Sequence, residues 1–188
     1  MPADTTEPTP AEVVAFWRNA GPKAWFSKNP AFDAELRSRF LDLHFKAARG
    51  AMDDWLGTAE GALALLLLLD QFPRNMFRGS AHAFATDPLA RAVARRAMER
   101  GFDEQVDTVV RPFFYLPFEH SEDPADQAFA VKLCERLLAH GDSDSVKWAR
   151  IHQDIIERFG RFPHRNACLG RQTNAEEQAF LDSGGFAG

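Results

Sequence analysis

Residues 58–72 of this chain read TAEGALALLLLLDQF, and this stretch decides the fold. Thr58 is a typical helix N-cap residue, and every position from Ala62 to Leu69 is apolar. A helix that is apolar on all faces has no side suited to water, so it belongs in the protein core. The apolar run is far shorter than the roughly 20 residues that a membrane span needs. The stretch therefore predicts a buried central helix.

Capping residues and helix breakers divide the rest of the chain into further helices. Thr9-Pro10-Ala11-Glu12, for example, is a capping box with proline at the first helical position. The predicted helices run from Pro10 to Gly21, Asn29 to Gly50, Thr58 to Phe72, Asp87 to Gly101, Val109 to Glu119, Asp123 to Leu138 and Ser143 to Phe159, and Thr173 with Glu176 caps a last one. No stretch alternates in the manner of a β-strand. We predict one all-α domain over residues 1–188 with seven or eight helices, a polar tail at 1–9 and a Gly-rich tail at 183–188.

Composition and charge limit the cell compartment and the binding partners that we expect for this protein. The length of 188 residues fits one ordinary domain, and a net charge of −5 argues against general nucleic-acid binding. The first ten residues are polar and acidic, unlike the basic and then apolar layout of a signal peptide. Cys134 and Cys168 form no C-x-x-C pair, which is typical of reduced thiols in the cytoplasm. We predict a cytoplasmic protein without a cofactor or a membrane partner, and the oligomeric state stays open.

Two segments share an unusual corner, which we call the first corner (residues 72–75, FPRN) and the second corner (residues 162–166, FPHRN). Each follows an apolar helical stretch, and proline is expected to end that helix because it has no N–H and displaces the preceding residue from the α region. Each corner then places an arginine and an asparagine at a helix C-terminus. More arginines follow, at Arg78 and Arg171.

The corners allow two interpretations. In the structural one, Arg74 and Arg165 cap helix carbonyls and pair with nearby acids, while Asn75 and Asn166 adopt the left-handed turn. In the ligand interpretation, the guanidinium forks bind a carboxylate or phosphate group. The predicted ligand-binding residues are Asp70, Gln71, Arg74, Asn75, Arg78, Arg161, His164, Arg165, Asn166 and Arg171.

Histidines add the alternative of an enzyme. His120 lies between Glu119 and Glu122 in the sequence, so a carboxylate could hold it as a general base, and His164 lies in the second corner. The candidate catalytic residues are His120, Glu122 and His164. His120-Ser121-Glu122 matches half of a zinc deaminase motif, but the P-C-x-x-C half is missing, and no metal site is predicted. The usual nucleotide and serine-nucleophile motifs are also absent from the sequence.

Five blocks of the sequence together resemble one bacterial family. They are Leu69–Asn75, Phe84–Ala90, Phe113–Glu122, Arg158–Asn166 and Leu169–Arg171. The chain resembles, along nearly its whole length, the family catalogued as domain of unknown function 924. The resemblance implies a tetratricopeptide-like superhelix of antiparallel helix pairs, a fold that usually forms concave surfaces for peptides or other ligands. It implies no established activity.

The function that we predict is a helical binding module whose Arg/Asn/His-lined pocket holds a small anion or an acidic peptide group. His120 and Glu122 would lie between the two corners in this pocket. The first alternative is an enzyme in which His120 or His164 transfers a proton on an anionic substrate. The second is a protein–protein interaction scaffold in which the arginine corners only stabilise the fold.

Overall fold

A computed structural model describes residues 7–186 of the chain. Within that part every regular element is helical and none is a β-strand, which confirms the all-α prediction. The α-helices are α1 (Pro10–Ala20), α2 (Pro22–Trp25), α3 (Pro30–Ala48), α4 (Ala59–Leu66), α5 (Phe72–Met76), α6 (Asp87–Glu99), α7 (Leu116–Glu119), α8 (Pro124–Glu135), α9 (Ser143–Phe159) and α10 (Ala175–Asp182). A π-helical turn joins α4 to α5, so residues 7–186 hold nine separate helices. Eight correspond to predicted helices, and α2 is an additional single turn.

The helices fall into two compact units. The N-terminal unit comprises the described part of residues 1–78 together with residues 83–114, and it contains α1 to α6. The C-terminal unit comprises residues 79–82 and the described part of residues 115–188, and it contains α7 to α10. Residues 1–6 of the predicted N-terminal tail and residues 187–188 of the predicted C-terminal tail lie outside the described residues. The single domain over the whole chain stays a prediction.

Two capping boxes were predicted, and the structure shows the hydrogen bonds at both places. At the start of α1, Glu12 N–H donates to Thr9 Oγ1 at 3.3 Å and Thr9 N–H donates to Glu12 Oε2 at 2.7 Å, which confirms the first box. The predicted box of Thr173 and Glu176 is wrong by one residue. Asn174 and Glu177 form it instead, and the side chain of Glu177 also accepts a hydrogen bond from Asn166 of the second corner.

The core of the N-terminal unit confirms the buried central helix. Residues 61–73 are all buried, and the rings of Trp17 and Phe40 pack against Phe72 with centroids 5.4 Å and 5.2 Å away. Trp17 also stacks on Trp25 at 5.9 Å. Burial of such large rings supplies much of the apolar area that drives folding, and their edge and offset contacts fix how the helices meet.

The central helix widens into a π-helical turn at residues 67–71. In this turn Phe72 N–H donates to Leu67 O, five residues back. The next carbonyl, Leu68 O, would pair with the nitrogen of Pro73, which carries no hydrogen. His44 supplies the missing donor from α3, since its Nδ1 lies 2.8 Å from Leu68 O. A carbonyl oxygen only accepts, so Nδ1 of His44 carries the proton.

Two further carbonyls of the wide turn also receive side-chain donors. The hydroxyl of Thr86 donates to Leu69 O at 2.6 Å, and Arg74 Nη1 donates to Asp70 O at 2.7 Å. Because the turn is widened and its carbonyls are satisfied in this way, the helix passes through Pro73 and continues to Met76. The prediction that proline ends this helix at Phe72 is therefore wrong.

The second corner has a different backbone. Here α9 ends at Phe159, before the proline, and the next residue, Gly160, has a left-handed φ of 67° that suits glycine. Residues Pro163–Arg165 then form a 3-10 turn. Asn166 follows with φ −57° and ψ −49°, and Asn75 lies inside α5, so neither asparagine adopts the left-handed conformation that the structural interpretation expected.

Replacing Thr86 by Val tests the wide turn, because it keeps the side-chain shape and removes the hydroxyl. Leu69 O would lose its donor in a buried helix, and such a loss costs roughly 1–3 kcal/mol. Thr86 makes no side-chain capping bond to α6, so capping would not contribute. We expect urea unfolding to show a free energy of unfolding lower by this amount. The exposed control Ser38→Ala should stay within about 0.5 kcal/mol of the wild type. A Thr86→Val loss inside that same limit would contradict the role given to the hydroxyl.

Candidate functional site

Arg74, in the first corner, binds two buried carboxylates of the N-terminal unit. Its Nη1 and Nη2 donate to Asp87 Oδ1 and Oδ2 at 2.9 Å and 3.0 Å, and Nη1 lies 3.2 Å from Asp70 Oδ1. Burial alone would lower the pKa of Arg74, but these two carboxylates outweigh it and raise the pKa above its usual value. The guanidinium group of Arg74 thus already binds Asp87 with the bidentate geometry in which it would bind a ligand carboxylate.

Asn75 and the polar residues that flank the first corner also bind side chains of the protein itself. Asn75 Nδ2 donates to Asp33 Oδ1 at 2.8 Å, and Arg78 Nε donates to Asp33 Oδ2 at 2.7 Å. Gln71 Nε2 donates to Asp70 Oδ2 at 2.6 Å. Asp33 was not among the predicted site residues. Asp33 lies in the first turn of α3, where an acid is expected simply because its charge offsets the helix dipole.

The second corner is organised around two glutamates of the C-terminal unit. Glu122 accepts from Arg171 Nη1 at 2.7 Å and Nη2 at 3.0 Å, and from Phe162 N–H at 2.8 Å. Burial acts to raise the pKa of Glu122, but these hydrogen bonds, followed by the charges of Arg171 and Arg165, lower it below the usual value. Glu122, which we predicted beside a catalytic histidine, thus holds the second corner.

Glu177 is the second of these acids, and it is buried at the start of α10. It accepts from Arg161 Nε at 2.5 Å and Nη2 at 2.9 Å, from Asn174 N–H at 2.8 Å and from Asn166 Nδ2 at 3.2 Å. The bonds from Arg161 and from the Asn174 N–H lower the pKa of Glu177 to about 2. The sequence indicated a capping box at this place, but the predicted box of Thr173 and Glu176 was one residue too early, so Glu177 was not predicted.

Arg165 and His164 complete the second corner. Arg165 is buried, and its guanidinium carbon lies 4.4 Å from the centroid of the Phe162 ring, a cation–π contact. The ring centroid of His164 lies 5.7 Å from that of Phe162 and 5.2 Å from that of Phe186. Asn166 is fully buried, and its Oδ1 has no hydrogen-bond partner within residues 7–186.

The histidine that meets a carboxylate is His152, which the sequence analysis did not select. Its Nδ1 lies 3.0 Å from Glu119 Oε1 and 2.8 Å from Trp148 O. Both oxygens accept, so Nδ1 carries the proton. The predicted His120 lies next to it, with ring centroids 6.3 Å apart. Trp148 and His152 are four positions apart in α9, a spacing that carries no catalytic motif.

The two corners belong to different units, and the acids described above come from the same unit as the arginines they bind. The hypothesis that Arg74 and Arg165 reach one pocket together with His120 stays a prediction. Within residues 7–186, no group of three or more His, Cys, Asp or Glu side chains is arranged to hold a metal ion.

Two open grooves lie on α1 and α3 of the N-terminal unit. The first, of about 450 Å³, runs between the two helices and is lined by Glu12, Ala15, Phe16, Asn19, Ala20, Ala24, Phe32, Glu35 and Arg39. The second, of about 360 Å³, lies on α3 and is lined by Ala34, Arg37, Ser38, Arg39, Leu41 and Asp42. Neither is lined by a predicted ligand-binding residue. Among the described residues, no helix is both long and apolar enough to cross a membrane.

Comparison with known proteins places the chain in a family. Residues 13–185 match the family described as "Bacterial protein of unknown function (DUF924)". The chain belongs to this family. The resemblance found in the sequence is thereby confirmed.

One solved structure is similar to this DUF924 protein along most of its length. It is that of the protein of unknown function ATU0120 from Agrobacterium tumefaciens, with 52% identity and a TM-score of 0.89, covering 93% of this chain and 97% of that chain. No curated protein gives a significant match. The comparisons therefore support the helical fold of the DUF924 protein and attach no activity to it.

Acid unfolding tests the second corner through Glu177. Its folded-state pKa of about 2 lies below the ordinary value of 4.5, so its stabilising contribution is complete above about pH 4.5 and is lost as the pH falls towards 2. We expect Glu177→Gln to lower the free energy of unfolding at pH 7 by roughly 1.5–3 kcal/mol, the range for hydrogen bonds to a charged group, because Arg161 itself is partly exposed. The difference from the wild type should shrink between pH 4.5 and pH 2.

The matched control is Glu176→Gln, one residue away, because Glu176 is exposed and its ion pair with Arg158 is exposed too. Exposed pairs contribute at most about 1 kcal/mol. Urea unfolding at several pH values measures both variants. Equal losses for the two variants, or a Glu177→Gln deficit that does not change between pH 7 and pH 2, would contradict the assignment.

Proposed function

We propose that the protein is a helical binding module whose ligand site is the groove between α1 and α3. The observation that carries the proposal is an open aromatic groove of about 450 Å³ in the same unit in which Arg74 and Arg78 are held by Asp87 and Asp33. This volume is within the range of about 300–1,000 Å³ that is typical of ligand sites. The arginine corners then stabilise the fold, and binding takes place elsewhere.

The internal ion pairs support this division. A ligand carboxylate at Arg74 would have to displace Asp87 from a bidentate pair. Displacing it would leave a buried aspartate without its main counter-charge, and breaking a buried pair in this way costs roughly 3–5 kcal/mol. A ligand anion therefore gains little at this corner, because an internal acid already makes the same contacts.

The floor of the groove is apolar. The rings of Phe16 and Phe32 stack with centroids 5.5 Å apart and planes at 6° to each other. Ala15, Ala20 and Ala24 line the groove, and their small side chains leave space above the rings. Such a surface accepts an apolar side chain, since burial of apolar area is favourable.

The rim of the groove indicates the charge of the occupant. Glu12 on α1 and Glu35 on α3 face a single cation, Arg39, which lies 3.4 Å from Glu35 and 4.7 Å above the Phe16 ring. Hydrogen bonds from the N–H and hydroxyl of Thr9 lower the pKa of Glu12, so its carboxylate stays charged. The occupant that fits is a partner segment with one or two apolar side chains next to a lysine or arginine.

Peptide selection measures whether the groove binds such segments. A random library of displayed peptides, selected on the immobilised wild type, should yield sequences that combine an apolar residue with a basic one. Ala15→Trp fills the groove from an exposed position, and it should weaken the selected peptides by at least about tenfold, or roughly 1.4 kcal/mol. The control Ala92→Trp, exposed on α6, should leave affinity unchanged.

The charge preference has its own controls. Glu12→Gln keeps a side chain that can complete the capping box, and it should lower affinity for the selected peptides together with Glu35→Gln. Glu60→Gln, on exposed α4 surface, should not lower it. Peptides that bind Ala15→Trp as well as the wild type, or selected sequences rich in acids, would rule out the groove as the site.

The second corner provides a second candidate, a small anion that can also donate a hydrogen bond. It is supported by the buried Oδ1 of Asn166, which has no partner within residues 7–186, next to the buried Arg165. Hydrogen phosphate carries both acceptor oxygens and a donor hydroxyl, whereas sulfate at neutral pH has acceptors only. A cytoplasmic location, which the free thiols Cys134 and Cys168 support, would supply such ligands.

Arg165→Met separates the two functions of this arginine. If Arg165 binds an anion, phosphate should raise the melting temperature of the wild type more than sulfate does, and neither should affect the variant, because only a ligand of the folded state adds stability. Sodium chloride at equal ionic strength controls for screening. If Arg165 is structural, the variant should have a lower free energy of unfolding, because the buried guanidinium and its contact with Phe162 are lost, and it should respond to both salts as the wild type does. The latter result would exclude the anion site.

A further inference from the structure

The last described residues form a tight reversal after α10. Gly184 has a φ of +79°, which side chains other than glycine rarely adopt. A Cβ at Gly185 would lie 2.5 Å from Phe180 O and 2.6 Å from the Phe180 ring, so this position has no room for a side chain. Gly185 N–H also donates to Phe180 O at 3.0 Å. Two glycines are therefore needed to turn the chain back at this point.

The reversal places Phe186 among three aromatic rings of the C-terminal unit. Its ring centroid lies 4.5 Å from that of His152, 5.2 Å from that of His164 and 6.2 Å from that of Trp148. The planes of the two histidines are inclined to it by 67° and 79°, which is the edge-to-face geometry that aromatic rings prefer. Phe186 thus fills an aromatic cage with the chain's own side chain.

One ring of the cage, His152, belongs to a buried acid–imidazole pair. His152 is 5% exposed and Glu119 3% exposed, and they are joined by the contact of 3.0 Å between Nδ1 and Oε1. A carboxylate on one nitrogen holds the imidazole in a single orientation and tautomer, the arrangement that general acid–base sites use. The charge of Glu119 is also felt by Cys134, whose pKa is raised first by burial and then by this carboxylate.

We propose that residues 183–186 form a strap that closes over a ligand site built on His152 and Glu119, and that the ligand is a planar aromatic compound which takes the place of the Phe186 ring. The inclined rings of His152 and His164 provide the contacts for such a ligand. The double-glycine reversal provides the hinge about which the strap opens. The site belongs to the C-terminal unit and is independent of the groove on α1 and α3.

The rate at which each histidine is acylated measures whether the strap shields it. Diethyl pyrocarbonate modifies accessible imidazole rings, and peptide mass spectrometry gives a rate for each histidine. In Phe186→Ala we expect His152 and His164 to react about tenfold faster than in the wild type, the factor that the loss of one or two ring contacts predicts. The exposed His140 should keep its rate. Leu169→Ala, which removes another partly exposed apolar side chain of the same unit, should change neither histidine.

Gly185→Ala is the second variant, since it keeps Phe186 and displaces the strap through the contact with Phe180. It should accelerate the same two histidines. His44, fully buried in the N-terminal unit, reports general loosening of the chain. Acceleration confined to His152 and His164 supports the strap. Unchanged rates in both variants, or acceleration shared by His44, would overturn it.

The nature of the ligand is tested in Phe186→Ala with indole as an aromatic probe and cyclohexanol as an apolar probe of similar size. Indole should restore the slow acylation of His152 and His164, as a ligand that fills an apolar cavity does. Cyclohexanol should not. Equal protection by both probes, or none by either, would overturn the assignment of an aromatic ligand.

Discussion

The wide turn in the buried central helix is the constraint on which the N-terminal unit depends. Pro73 removes one backbone donor from a helix that has no access to water, so the carbonyls before it need other partners. His44, Thr86 and Arg74 supply them, and each comes from a different place: α3, the start of α6 and the helix itself. A hydrogen-bond requirement of one helix thereby fixes the positions of two others.

The buried acids at both corners likewise need partners, and arginines supply them. Each fork satisfies a carboxylate that would otherwise be buried at high cost, so the pair is kept intact even where it adds little net stability. The two corners share sequence and differ in backbone. The first continues its helix through Pro73, whereas the second follows the left-handed Gly160 and begins a 3-10 turn. Similar chemistry is thus achieved by different local structures.

These pairings change where a ligand is expected. Conspicuous arginines suggest an anion site, yet most of their donors hold acids of the chain itself. The features left over are less conspicuous in sequence. They are the alanines that leave a groove open between α1 and α3, and Phe186, whose ring contacts those of His152 and His164. The tetratricopeptide-like superhelix implied by the family resemblance stays a prediction, and a peptide groove on helices would be in keeping with it.

The sequence by itself determined the helices and most of their ends, because capping and breaking act within one turn. It also determined the burial of residues 62–69, because a helix that is apolar on all faces has only one stable environment. Only the tertiary structure decided the partners. The contacts of Arg78 with Asp33 and of Arg171 with Glu122 join residues 45 and 49 positions apart. Any of 27 acids could have filled those roles. Charge and residue type are local properties, whereas the choice among many equivalent partners is made by the packing of helices that are distant in the chain.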